Sequence, residues 1–359
     1  MKAYLLLEDG TLFTGRSIGA QREVVSEVVF NTSMTGYLEV LTDPSYAGQA
    51  VIMTYPLIGN YGICREDMES GNAWLDAFIV RELSEIHSNF RSRESLQSFL
   101  KEQGIPGIEG IDTRALTKRL REYGTMNGFL TTDPDFDREA AIRRMKAYAV
   151  CGAVARTSCR EKYVMPGSGK RVAILDLGMK RNIARSLNRR GCEVTVWPQD
   201  TKAEQILESA PDGLMLTNGP GDPKENVSVI EEIRKLYASE LPIFAICLGH
   251  QLMALATGAD TFEMKYGHRG GNHPVKDLET GRVYISSQNH GYAVDENSLN
   301  SAVAVPAFRN VNDGTNEGLR YVGKKIFTVQ FHPEACPGPQ DSSYLFDRFL
   351  KMMGVETDA

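Results

Sequence analysis

Phe244-Ala245-Ile246-Cys247-Leu248-Gly249-His250-Gln251 sets an apolar run directly before a cysteine and a helical pattern directly after it. That is the order of a nucleophile elbow, in which a tight strand-to-helix turn lifts one side chain above a sheet. Such a turn needs small flanking residues, because strand and helix approach closely there. Gly249 meets the need, and Ala245 is merely small. The positive end of a helix also favours a thiolate. An isolated cysteine is more often a small buried hydrophobe, so the elbow has to be matched by a base.

A thiol with an ordinary pKa of about 8.5 is only slightly ionised at neutral pH. Six histidines are available, at 87, 250, 268, 273, 290 and 332. His332 has the strongest context, since the strand-like run 325–331 leads straight into His332-Pro333-Glu334. Residues two apart on an extended chain face the same way, so Glu334 is expected beside the imidazole, orienting it and stabilising its charged form. Pro333 is expected to hold the segment extended. A third segment, Thr217-Asn218-Gly219-Pro220-Gly221-Asp222-Pro223, ends another strand with two glycines. Its backbone N–H groups, with that of Leu248, are candidates to stabilise an oxyanion.

These residues need a frame that brings them to one edge. Strand-like runs at 171–178, 192–198, 212–221 and 242–249 alternate with helical patterns at 180–190, 203–209, 229–238 and 250–258. The alternation predicts an α/β fold with a doubly wound, mostly parallel sheet, whose ligands sit beyond the carboxyl ends of the strands. All three candidate segments fall there. Residues 1–150 mix strands (23–32, 49–59) with helices (94–104, 114–124) without strict alternation, which predicts a smaller α+β domain. The polar Pro166-Gly167-Ser168-Gly169-Lys170 run marks residues 151–170 as a linker before a domain at 171–359.

The 359 residues carry a net charge of −6, which disfavours a nucleic-acid partner. The leading MKAYLLLEDG has only three consecutive leucines, too few for a signal core or a membrane span, and a cytoplasmic protein is expected. The six cysteines show no CxxC and no Cys/His spacing that would hold zinc, so no metal site is expected. No GxxxxGK[ST] loop is present, so ATP chemistry would belong to another chain.

In combination, ICLGHQ (246–251), NGPGDP (218–223) and FHPEA (331–335) resemble the signatures of class I, triad-type glutamine amidotransferases. The remaining segments, among them 27–49, 54–62, 110–122, 265–275 and 287–294, resemble the small-chain family of carbamoyl phosphate synthetases over nearly the whole length. The resemblance implies a Cys247, His332, Glu334 triad that hydrolyses L-glutamine through a glutamyl thioester. It assigns glutamine contacts to Ser45, Gly219, Gly221, Leu248, Gln251, Asn289, Gly291 and Tyr292. It also implies a large synthetase subunit as partner, carrying ATP and a divalent metal, with no cofactor in this chain and with the leading domain as a docking surface. Ala245 departs from the family's usual glycine, Tyr292 from phenylalanine and Cys336 from serine. Two other readings compete, the glutaminase part of a different amidotransferase and a silent regulatory partner. The leading domain speaks against the first and the complete triad against the second.

Overall fold

The computed structural model describes residues 1–355 and divides into two units, Met1–Cys151 and Gly152–Ala359. In the first, seven strands close into a barrel. They are β1 (Lys2–Leu7), β2 (Leu12–Gly19), β3 (Val24–Asn31), β4 (Gln49–Met53), β5 (Ala77–Ile79), β6 (Pro106–Glu109) and β7 (Met126–Thr131), in the order β1-β2-β6-β5-β4-β3-β7. The β7 strand pairs back onto β1 and leaves no edge open to another chain. Parallel and antiparallel pairs are mixed, which is why the sequence shows no single repeating order. Two of its helices, α1 (Leu96–Glu102) and α2 (Thr113–Tyr123), begin at side-chain caps from Ser95 and Asp112.

The second unit is built on one ten-stranded sheet. Its strands are β8 (Tyr163–Met165), β9 (Arg171–Asp176), β10 (Glu193–Pro198), β11 (Gly213–Leu216), β12 (Ile243–Ile246), β13 (Thr261–Asp277), β14 (Val283–Val294), β15 (Ala304–Asn310), β16 (Asn316–Tyr321) and β17 (Ile326–Val329). Their order is β8-β10-β9-β11-β12-β17-β16-β15-β13-β14. The run β10-β9-β11-β12-β17 is parallel, as the alternation predicted. Four further strands extend it antiparallel, a feature that alternation could not reveal.

Residues 151–170, expected as a linker, fold largely with this unit. A short helix, α3 (Ala153–Thr157), is followed by Cys159, whose N–H donates to Asp176 Oδ2 at 2.8 Å, and by β8 as an edge strand on β10. Gly/Pro composition marked a turn there correctly, but the apolar Tyr163-Val164-Met165 run before it found a pairing edge.

Both faces of the parallel strands are covered, so their residues alternate between two cores. Leu214, Leu216, Ile243 and Ala245 pack on the side of α6 (Val227–Ala238) and α7 (Leu248–Ala256). Met215, Phe244 and Ile246 pack on the side of α4 (Arg181–Arg189) and α8 (Tyr344–Met352). The helix α5 (Ala203–Glu208), which follows β10, buries Ala203 and Ile206 on the side of α6 and α7. Fully burying one such large apolar side chain contributes about 1.5–3 kcal/mol, and this fixes the strand ends that carry the site. No helix among the described residues is long and apolar enough to cross a membrane.

Candidate active site

The β12 strand ends at Ile246, and the next residue makes the turn. Cys247 has φ 52° and ψ −106°, a conformation that L-residues rarely adopt and that has to be held by its surroundings. Its N–H donates to Val329 O at 2.8 Å, which continues the β12–β17 ladder. Two residues on, Gly249 N donates to Thr217 O at 3.0 Å. A Cβ at Gly249 would stand 2.6 Å from Leu216 O, so the close approach predicted for this position is real. Ala245 is fully buried in the strand, where its one methyl is accommodated.

The register sets Ile246 beside Val329, so the residues that follow these two strands leave the sheet at the same edge. His332 lies three residues past β17, its N–H bonded to Ser287 O at 2.9 Å. His332 Nδ1 donates to Glu334 Oε1 at 2.6 Å, which leaves a lone pair on Nε2. His332 Nε2 is buried and has no hydrogen-bond partner among the described residues. The contact with Glu334 does not come from the extended alternation expected. Ala335 N donates to His332 O at 3.1 Å, so 332–335 is a turn with Pro333 as its second residue. Proline pre-sets the backbone for that position, and the turn folds the carboxylate back under the imidazole.

Lys180 was not anticipated. It stands at the N-cap of α4, only 3% exposed, and its Nζ lies 2.9 Å from Glu334 Oε1. It also donates to Ala335 O at 3.0 Å. Burial raises the Glu334 carboxyl, but Lys180 and His332 together outweigh it and hold the group down at about 2. The sequence did carry a signal, because a lysine opening a helix opposes the macrodipole and calls for an anion.

The loop after β11 is tied to the loop after β9. Asn218 is fully buried, with Oδ1 accepting from Lys180 N at 3.0 Å and Nδ2 donating to Gly178 O at 3.0 Å. A Cβ at Gly219 would meet Leu177 O at 2.1 Å. Leu248 opens α7, so its N–H has no acceptor within the helix. An added Cβ at Gly221 would reach only Ala153 Cβ at 3.6 Å. Its constraint is conformational, with φ +85°.

The strand β14 brings the other named residues to the same edge. Cys247 Sγ lies 3.6 Å from Asn289 O. Gln251 Nε2 donates to Tyr292 O at 2.8 Å and to Gln330 Oε1 at 3.0 Å. Gly291 lies between Asn289 and Tyr292, with room for a Cβ only at 3.2 Å from the Arg269 guanidinium. The structure thus brings together Cys247, Leu248, Gln251, Asn289, Gly291 and Tyr292, with Gly219 against the Leu248 side chain. Ser45 belongs to the other unit, buried in a single 3-10 turn, Pro44–Tyr46, where Asp43 Oδ1 accepts from its N–H. Cys336 follows the 332–335 turn with φ 47°, and its carbonyl lies 3.5 Å from Lys180 Nζ.

Residues 5–130 match the family described as "Carbamoyl-phosphate synthase small chain, CPSase domain", and residues 173–352 match "Glutamine amidotransferase class-I". Over 358 residues the chain is 51% identical to a carbamoyl phosphate synthase small chain of Listeria innocua, covering 99% of this chain and 98% of that one. The chain belongs to the carbamoyl phosphate synthase small-chain family. A pyrimidine-specific small chain of Halalkalibacterium halodurans is 52% identical, with 98% and 97% of the two chains covered. The small chain of Clostridium perfringens is also 52% identical, with 98% and 99% covered. The activity of this family member is that of a glutamine amidotransferase, and residues 5–130 place it with the carbamoyl phosphate synthase small chains.

Proposed function

We propose that Cys247, His332 and Glu334 hydrolyse L-glutamine and that the ammonia passes to a large synthetase subunit. The observation that carries this reading is the pairing of a strained cysteine elbow with a buried imidazole whose Nδ1 is held by a carboxylate, at the ends of adjacent parallel strands. His332 Nε2 takes the thiol proton and Sγ attacks the side-chain amide carbon of glutamine. The developing oxyanion is met by the N–H groups of Gly219 and Leu248, donors that need no reorganisation. On collapse the C–N bond breaks, His332 returns its proton to the nitrogen and ammonia leaves a glutamyl thioester on Cys247. Water then attacks that ester, with His332 as base, and releases glutamate and the free thiol.

Gln251, Asn289, Gly291 and Tyr292 would line the amino-acid end of the substrate. The large subunit, and its use of ATP and bicarbonate to make carbamoyl phosphate, rest on the family assignment and on the lack of a phosphate-binding loop in this sequence. The first unit is the candidate docking surface for that subunit. The test is Cys247→Ala in the assembled enzyme. Glutamine-dependent synthesis should vanish while synthesis from free ammonia persists. Wild-type glutamine hydrolysis by the variant would end the triad assignment.

A further inference from the structure

Three strands of the second unit converge on a buried polar cluster that glutamine hydrolysis does not use. It comprises His268 on β13, His290 on β14 and Glu317 on β16, and one donor atom from each lies within 4.8 Å of the other two. From His268 Nδ1 to Glu317 Oε1 the distance is 3.4 Å, close to the ligand-to-ligand edge of about 3.3 Å in a tetrahedral zinc site. Gln288 Oε1 stands between the rings, 2.7 Å from His290 Nε2 and 3.2 Å from His268 Nδ1.

Each inward-facing ring nitrogen is oriented from behind. His268 Nε2 is bonded to the Asp313 carboxylate at 2.8 Å, and His290 Nδ1 to Tyr292 O at 2.8 Å. Carboxylate and carbonyl partners of this kind fix the tautomer of metal-binding histidines. Glu317 Oε1 accepts from Gln288 Nε2 at 2.9 Å and Asn310 Nδ2 at 3.0 Å, while Oε2 is buried without a partner.

With neutral rings and an ionised Glu317, this arrangement sets two acceptors against each other. With Nδ1 donating to Tyr292 O, a neutral His290 turns its Nε2 lone pair towards Gln288 Oε1, an acceptor facing an acceptor. Turning the Gln288 amide over moves the conflict to Glu317 Oε1. Protonating His290 instead would set a cation 5.0 Å from the His268 ring, which already faces the Asp313 and Glu317 carboxylates at 2.8 and 3.4 Å. A divalent cation removes the conflict by accepting both lone pairs and a Glu317 carboxylate oxygen, displacing the proton on His268 Nδ1.

We propose that His268, His290 and Glu317 bind a structural zinc-class ion, with the Gln288 amide oxygen as the candidate fourth ligand. His290 lies between Asn289 and Gly291, so the ion would pin the strand facing Cys247 to β13 and β16.

The experiment uses the full chain, stripped with a chelator and dialysed against Zn²⁺ alone, with bound metal counted and the thermal unfolding midpoint recorded. Wild type should retain about one ion per chain, with a raised midpoint. Glu317→Gln keeps the shape and loses the charge, and should bind at least tenfold more weakly while melting as stripped wild type does. Asp313→Asn should weaken binding about 10–100-fold, as loss of an outer partner does. Cys247→Ser should retain the ion, and Co²⁺ substitution should show no thiolate charge-transfer band. Equal zinc retention by wild type and Glu317→Gln, or loss of zinc in Cys247→Ser, would overturn the proposal.

Discussion

Lys180 Nζ and His332 Nδ1 converge on one oxygen of Glu334, at 2.9 and 2.6 Å, in a place where the side chains of Lys180 and Glu334 are 4% and 0% exposed. A carboxylate so buried would be costly with one partner, and the lysine lets it remain ionised while it orients the imidazole. On the proposed mechanism Lys180 is a positioning residue for the triad.

Replacing it with methionine should cost about 3–5 kcal/mol of stability, the usual result of leaving one buried ion unpaired. The pH dependence has a defined sign. Glu334 is depressed to about 2, so its contribution is complete above its ordinary range near 4 and is lost as pH falls through about 2. In Lys180→Met the folded-state value rises and acid unfolding should begin at a higher pH. Denaturant titrations from pH 7 to 2 would check this, and superimposable curves for the two proteins would refute it.

His332 and Glu334 should separate by role. His332→Asn removes the proposed base for the thiol proton, and glutamine hydrolysis should fall by about 10⁴-fold or more. Glu334→Gln keeps a hydrogen-bond acceptor for Nδ1 and should cost less in kcat, with little change in KM. Steady-state kinetics on both variants decides it. Near-normal turnover in His332→Asn would transfer the base to another histidine, and His290 would be tested next.

Much of this site could be read from sequence because its parts are local. The elbow is a strand, a cysteine and a glycine in one continuous run, and the Gly249 contact with Leu216 O is the steric demand that the run implied. The pairing of His332 with Glu334 was anticipated for the wrong geometric reason, since alternation on an extended chain and a proline turn both bring residues two apart together. Lys180 at the helix start hinted at a nearby anion, but local reasoning could not name Glu334, which is 154 positions away and joined to it only through the sheet order. The same holds for barrel closure by β7 on β1 and for the antiparallel extension of the second sheet, which depend on pairings between distant strands.

The glycines make a prediction that distinguishes space from backbone conformation. Gly249→Ala would force a methyl against backbone oxygen and should destabilise the fold by about 1–3 kcal/mol. Gly221→Val meets open space but adopts a left-handed φ, a strain of about 1–2 kcal/mol that should distort the loop and raise KM for glutamine. Thermal melts and KM values for both variants test this. An unchanged KM in Gly221→Val would remove the loop from the substrate pocket.

Dependence on a second subunit is the last expectation. A glutaminase that released ammonia to water would lose its product to protonation, and a protonated amine is no nucleophile. Coupling therefore requires that hydrolysis be slow until the acceptor chain is in place. The isolated protein should hydrolyse glutamine slowly, accelerate when the large subunit, ATP and bicarbonate are added, and co-elute with that subunit on gel filtration. A specific interface of standard size supports dissociation constants at or below the micromolar range, so mixing at a few micromolar is a fair trial. Separate elution at that concentration, or carbamoyl phosphate synthesis by this chain alone, would defeat the coupling argument and leave only the hydrolytic half of the reaction.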